Sequence, residues 1–206
     1  MRVQLRPTSS LLALSLAAVM AACSDGAVGP NEARHDGSAT AWLKRNPGAR
    51  AGGVMTFVYD PSQNARFDLP GGHEILFPRR AVCDPATSSY GVTEWDSPCT
   101  PLREPITITA QSFKDANGHP YVDFSPALRF VPGRQVVLSL NDRSAAEDAG
   151  SVINWCGPDG QCVDESLDEP SLRTRHRAGK GMVERAIKHF SGYNISVGRS
   201  PYPVAY

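Results

Sequence analysis

Short runs of β-branched and aromatic residues, separated by turn residues, restrict the fold of this 206-residue chain more than any other feature. Within one run, Ile106, Ile108 and Ala110 alternate with Thr107 and Thr109. A period of two is typical of a strand that buries one face. The runs are VMTFVY (54–59), HEILF (73–77), PITITAQSF (105–113), PYVDFS (120–125) and RQVVLSL (134–140). We therefore predict an all-β domain.

Turn chemistry supports this prediction, with one ambiguous segment. Asn117-Gly118 is a strong hairpin signal and is expected to join the third and fourth runs. The chain contains 17 prolines, which argue against long helices. In GMVERAIKHF (181–190), however, the apolar residues also fit one face of a helix. Periodicity alone does not decide that segment.

The first residues predict export from a bacterial cell. Arg2 and Arg6 precede the apolar run LLALSLAAVMAA (11–22), which is too short for a membrane-spanning helix. The end of the run and Cys23 resemble a bacterial lipobox, with Met20 at the position where Leu is usual. We expect a signal peptide over 1–22, lipid on Cys23, and anchoring in the outer membrane. The alternative is an ordinary cleaved signal that happens to precede a cysteine.

The charge and composition of the remaining chain limit its partners. Removal of residues 1–22 takes away two arginines and no acid, so 19 basic residues face 21 acidic ones. The remaining chain therefore has no excess of positive charge of the kind that binds nucleic acid. Residues 23–50 are rich in Gly, Ala, Asn and charge, and are predicted to be a lipidated, flexible linker. Residues 51–206 have the length of one domain.

Four further cysteines point to disulfides. Cys83, Cys99, Cys156 and Cys162 allow three pairings, and an exported protein meets an oxidising compartment. Local pairing is favoured because the segment between Cys156 and Cys162 is a turn sequence, GPDGQ. Cys83 would then pair with Cys99. A zinc site is the alternative, but the close cysteine pairs of zinc knuckles are missing.

Several segments, taken in order, resemble the ZU-five domain of zonula occludens proteins, netrin receptors, ankyrins and many bacterial envelope proteins. They are ILFPRRAV (75–82), PITITA (105–110), VDFSPALRFVPGRQVVLSL (122–140) and HFSGY (189–193). The four cysteines and the insertion between Cys83 and Cys99 depart from the animal domains. The resemblance implies an antiparallel β-sandwich over roughly residues 54–197, with a strand at 182–190.

The same resemblance implies a candidate reaction at His189-Phe190-Ser191. Some animal ZU-five proteins cut their own chain between the Phe and the Ser of this triplet. Here Ser191 would attack the carbonyl of Phe190 in an N-to-O acyl shift, His189 would act as the base, and water would hydrolyse the ester. The alternative is a closing strand in which Phe190 points inward, His189 and Ser191 point outward, and Gly192 allows a bend.

Other chemistry has weaker support in the sequence. The five histidines lack metal-ligand spacing, and the acidic residues between 159 and 169 are expected to be solvated. Arg173, Arg175 and Arg177 are expected on one strand face, where an acidic polymer could dock. Tyr90 and Trp95, in the first cysteine loop, could form a sugar platform, whereas Trp155 is expected in the core.

The sequence therefore predicts a non-catalytic, lipid-anchored envelope protein without a cofactor, which binds or supports an unidentified protein or polysaccharide. The alternatives are a self-cleaving module and a carbohydrate-binding module.

Overall fold

The computed structural model describes residues 37–197. The predicted signal peptide over 1–22 and the predicted lipid site at Cys23 lie outside the described residues. Within residues 37–197, no helix combines the length and the hydropathy that a membrane crossing requires.

Two antiparallel sheets form the domain, as the sequence predicts. The elements in chain order are helix α1 (Ser38–Arg45), strands β1 (Arg50–Tyr59), β2 (Ala65–Leu69), β3 (His73–Phe77), β4 (Ile106–Lys114), β5 (Pro120–Ser125) and β6 (Val136–Asn141), helix α2 (Arg143–Glu147), and strands β7 (Val152–Cys156), β8 (Cys162–Val163), β9 (Arg175–Arg177), β10 (Met182–Ile187) and β11 (Gly192–Ser196). The first sheet has the strand order β1-β4-β5-β11-β7-β8 and the second β2-β3-β6-β10-β9. All paired strands run antiparallel.

Strand β4 buries alternate residues between the two sheets. On β4, Ile108 and Ala110 are fully buried, whereas Thr107 is exposed. Phe190 lies at the centre of the core, stacked on Phe124 with ring centroids 4.4 Å apart and edge-on to Phe77 and Phe130. Burial of aromatic rings of this kind is a major source of stability.

The predicted Asn117-Gly118 hairpin is confirmed. Lys114 pairs with Pro120 across the ends of β4 and β5. The Asp115 carboxylate accepts hydrogen bonds from the amides of Asn117 and His119. Gly118 has a φ of 89°, a left-handed conformation that favours glycine.

The ambiguous segment after residue 181 is a strand, β10, that ends at Ile187. The chain then leaves the second sheet and enters the first sheet as β11. His189-Phe190-Ser191 therefore lies in the crossover between the sheets, and not in a closing strand. Gly192 starts β11, and a Cβ there would lie 2.0 Å from the Tyr121 hydroxyl oxygen. This close contact requires the glycine, and the chain bends at the preceding residue, Ser191.

Both predicted disulfides are present. Cys83 pairs with Cys99, and their Cα atoms are 5.7 Å apart. Cys156 pairs with Cys162 and closes the hairpin of β7 and β8.

The predicted linker over 23–50 is too long, because its last part belongs to the domain. Trp42 of α1 is 2% exposed and stacks on Tyr121 at 4.2 Å. The Ser38 hydroxyl donates a hydrogen bond to the buried Asp123 carboxylate. The backbone of α1 also packs against Gly160, where a Cβ would meet the Ala41 carbonyl carbon at 2.6 Å. The buried Trp42 ring, the Ser38 hydrogen bond and the close backbone contact at Gly160 thus anchor the segment.

We expect Trp42→Ala to lower the free energy of unfolding by about 3–5 kcal/mol, because it removes a buried ring and leaves a cavity. Urea denaturation followed by fluorescence or circular dichroism measures the change. Lys44→Ala, on the exposed side of α1, is the control and should have little effect. Equal effects of the two substitutions would contradict the docking of α1.

Candidate functional site

The triplet His189-Phe190-Ser191 is fully buried. The prediction that His189 and Ser191 point outward is therefore wrong. The alternation of inward and outward residues holds within a sheet, whereas these residues cross between two sheets. The loop closed by Cys83 and Cys99 and the 3₁₀ turn Glu165–Leu167 cover the crossing.

Backbone hydrogen bonds fix the crossing on both sides of His189. The Phe190 amide donates to the Leu128 carbonyl oxygen at 2.6 Å, and the Phe130 amide donates to the Lys188 carbonyl oxygen at 2.7 Å. The Tyr193 hydroxyl donates to the His189 carbonyl oxygen at 2.8 Å. Together with the aromatic packing of Phe190, these bonds hold the triplet in one conformation.

Ser191 and His189 have the contact that a nucleophile and its base require. The Ser191 Oγ lies 3.3 Å from the His189 Nδ1. The indole of Trp155 donates a hydrogen bond to the same Oγ at 2.6 Å. An indole is only a donor, so the hydroxyl hydrogen of Ser191 is free to point toward His189.

Glu165 determines which nitrogen of His189 accepts this hydrogen. The His189 Nε2 lies 3.3 Å from a Glu165 carboxylate oxygen. An ionised carboxylate only accepts hydrogen bonds, so in the neutral imidazole the proton sits on Nε2 and leaves Nδ1 as the acceptor. Ser191, His189 and Glu165 thus form a directed chain of hydrogen bonds, the connectivity of a nucleophile, a base and an orienting carboxylate.

A buried arginine holds Glu165 in place. The Arg185 side chain is completely buried, and it donates to the second Glu165 oxygen at 2.7 Å and to the Ile153 carbonyl oxygen at 2.6 Å. Burial opposes ionisation of Glu165, but the hydrogen bonds from His189 and Arg185 and the positive charge of Arg185 outweigh burial and hold the Glu165 pKa below its usual value. The carboxylate is therefore ionised at neutral pH.

Neither Arg185 nor Glu165 was predicted from the sequence as part of a site. Glu165 was expected in a solvated acidic loop, and its contacts become visible only in the fold. Arg185 had a signal in the sequence. It occupies the inward position between Val183 and Ile187, where the period of two calls for an apolar residue.

The first disulfide loop contributes two aromatic residues to the site. The Tyr90 hydroxyl donates a hydrogen bond to the Phe190 carbonyl oxygen. Trp95 stacks on the His189 imidazole, with centroids 3.5 Å apart. Trp95 is 8% exposed, so it offers no open ring face for a sugar. Trp155 is partly buried against the core, as predicted, and also donates to Ser191.

The remaining predicted features lie away from this site. Arg175 and Arg177 are exposed on β9, and Arg177 pairs with Glu184 at 2.6 Å. Arg173 is also exposed, but it lies at the end of a 3₁₀ turn and outside β9, so the prediction that all three arginines share one strand face is wrong. Among residues 37–197, no group of three or more His, Cys, Asp or Glu side chains is arranged to hold a metal ion.

Comparisons of the chain with protein-family models, with curated proteins and with solved structures gave no match. The resemblance to the ZU-five domain therefore stays a prediction that rests on the sequence segments quoted above.

We expect Glu165→Gln to destabilise the protein by up to about 3 kcal/mol near pH 6, because it leaves the buried Arg185 without a charged partner. The depressed pKa of Glu165 means that its ionised form stabilises the fold above the unfolded pKa, about 4.3. This contribution is lost as the pH falls through the folded pKa. The difference between wild type and variant should therefore shrink toward pH 3.

Chemical denaturation at several pH values measures this difference. Glu104→Gln removes an exposed carboxylate and serves as the control. A difference for Glu165→Gln that is constant over the whole pH range would contradict the buried ion pair.

Proposed function

We propose that the protein is a lipid-anchored component of the bacterial cell envelope, a non-catalytic β-sandwich that binds or supports another envelope component. The observation that carries this proposal is the pairing of all four cysteines of the domain in two disulfides. Structural disulfides are typical of exported proteins and rare in the cytosol. They agree with the predicted signal peptide over 1–22 and the predicted lipid on Cys23.

The partner in this proposal is a protein or a polysaccharide. The exposed Arg173 and Arg175 favour an acidic one. The near balance of basic and acidic residues argues against nucleic acid. No cofactor is part of the proposal.

We expect the intact mass of the protein, purified from its own membranes, to show acyl chains on an N-terminal Cys23 and two disulfides. Each disulfide removes two hydrogen atoms from the reduced mass. Cys23→Ser is the matched variant and should leave the membrane fraction, because it has no thiol to acylate. An unmodified Cys23 in the membrane-purified protein would contradict the anchor.

A second function is favoured by the buried contact between His189 and Ser191. As the alternative to a module that only binds or supports a partner, we propose that the chain can cut itself between Phe190 and Ser191. In this reaction His189 would be the base, Ser191 the nucleophile, and Phe190 the residue whose carbonyl is attacked. Glu165 supports them by orienting His189. The resemblance of the triplet to self-cleaving ZU-five proteins points to the same reaction.

The reaction proceeds in two steps. The Ser191 Oγ bonds to the Phe190 carbonyl carbon, and its proton passes to the His189 Nδ1. The bond between that carbon and the Ser191 nitrogen then breaks, and the nitrogen takes the proton from His189. The resulting ester is hydrolysed by water, which gives a carboxylate on Phe190 and restores the Ser191 hydroxyl.

The product would stay assembled after the cut. The C-terminal fragment begins with Ser191 and contains β11, which lies between β5 and β7 in the first sheet. Its backbone is paired on both sides, and Tyr193 and Ile195 are buried. Native chromatography is therefore expected to show one species, and cleavage has to be measured after denaturation.

We expect denaturing mass spectrometry of purified protein to show a fragment of residues 191–206. Ser191→Ala should abolish the fragment, because the nucleophile is lost. Ser196→Ala, at the end of β11, removes a hydroxyl that accepts a hydrogen bond from Asn154, and it should leave the fragment unchanged. An intact wild-type chain with both disulfides formed would contradict self-cleavage.

A further inference from the structure

We propose that Tyr90 is a catalytic residue of the self-cleavage, as the donor that stabilises the negative charge on the Phe190 carbonyl oxygen. This inference rests on the proposed cleavage between Phe190 and Ser191. The Tyr90 hydroxyl donates its hydrogen bond to the carbonyl oxygen of the bond that would break. It therefore contacts a reacting atom of the proposed reaction.

The chemistry of the first step needs such a donor. When the Ser191 Oγ bonds to the Phe190 carbon, an electron pair of the carbonyl moves to the oxygen, which becomes an oxyanion. The Tyr90 hydroxyl stabilises that oxygen by hydrogen bonding and keeps its proton. A donor already in place needs no reorganisation during the reaction, and its effect is larger in a buried site than in water. The triplet is fully buried.

The loop that carries Tyr90 is fixed to the site at several points. The disulfide between Cys83 and Cys99 closes it. The Arg129 side chain donates hydrogen bonds to the carbonyl oxygens of Glu94 and Ser97. Trp95 stacks on His189, the base of the same reaction. This disulfide-closed loop thus places the Tyr90 hydroxyl against the Phe190 carbonyl oxygen and the Trp95 ring against His189.

The same loop explains how the reaction would be limited to the oxidised protein. The loop begins at Cys83, 107 residues before Phe190 in the chain. Reduction of the disulfide frees one end of the loop, so that Tyr90 is held less firmly over the carbonyl. Cleavage is then expected after export, in the compartment where the disulfide forms.

The closing experiment follows cleavage as a time course. Wild-type and variant chains that have been kept unfolded and uncleaved are refolded under oxidising conditions, so that each forms the disulfides that its cysteines allow. Samples are quenched in acid at intervals and measured by denaturing mass spectrometry. We expect Tyr90→Phe, which keeps the ring and removes the hydroxyl, to slow cleavage about 100- to 1,000-fold. We expect Cys83→Ser with Cys99→Ser to slow cleavage as well.

Tyr59→Phe is the matched control. The Tyr59 hydroxyl also donates to a carbonyl oxygen, that of Pro78, and its hydrogen-bond partners, Pro78 and Ala81, lie outside the triplet. We expect this variant to cleave at the wild-type rate. The free energy of unfolding of both tyrosine variants, each carrying Ser191→Ala to prevent cleavage, measures the structural effect of each lost hydroxyl. Tyr59→Phe should destabilise the protein at least as much as Tyr90→Phe, because the Tyr59 hydroxyl also accepts a hydrogen bond from the Ala81 amide. If the Tyr90 hydroxyl acted only through stability, Tyr90→Phe would not cleave more slowly than Tyr59→Phe.

The outcomes separate the two proposals. A wild-type chain that cleaves, with Tyr90→Phe cleaving at the same rate, overturns the role of Tyr90 and leaves self-cleavage standing. Equal slowing by Tyr90→Phe and Tyr59→Phe also overturns that role. A wild-type chain that stays intact overturns self-cleavage and the role of Tyr90 together.

Discussion

The ion pair between Arg185 and Glu165 inside the sandwich is the interaction on which the surrounding structure depends. Arg185 points inward from β10, as do its apolar neighbours Val183 and Ile187. A charge buried there costs several kcal/mol unless a partner and hydrogen bonds compensate it. Glu165 supplies the partner, and its other oxygen then reaches His189. One charged residue in the core therefore organises the polar chain that ends at Ser191.

The two disulfides stabilise different parts of this arrangement. Cys83 and Cys99 close the loop whose aromatic residues cover the crossover between the sheets. Cys156 and Cys162 close a hairpin whose Gly160 packs against helix α1. Loops without a core of their own gain much from such cross-links, because the unfolded chain loses freedom. Each bridge fixes a segment that then contributes buried contacts elsewhere.

Burial of the triplet acts in opposite directions on the two steps of the proposed cleavage. A buried carbonyl strengthens its hydrogen bond to Tyr90, which favours the acyl shift. Hydrolysis of the ester needs water, and the stacked Trp95 covers His189. The same hydrogen bonds also satisfy polar atoms that would otherwise be buried without partners. These hydrogen bonds thus stabilise the crossover, and the same bonds would assist the proposed cleavage.

Local features of the sequence determined much of the fold. Alternation in PITITAQSF, the Asn117-Gly118 turn and the spacing between Cys156 and Cys162 depend on neighbouring residues, so strands, hairpin and disulfide follow from them. The surroundings of the triplet do not follow from neighbouring residues. Tyr90 and Glu165, which contact Phe190 and His189, are 100 and 24 residues away from these partners in the chain. His189 is buried because the chain crosses between the two sheets at this point. Helix α1 belongs to the domain because its Trp42 stacks on Tyr121. Such contacts depend on how distant segments pack, which no local pattern encodes.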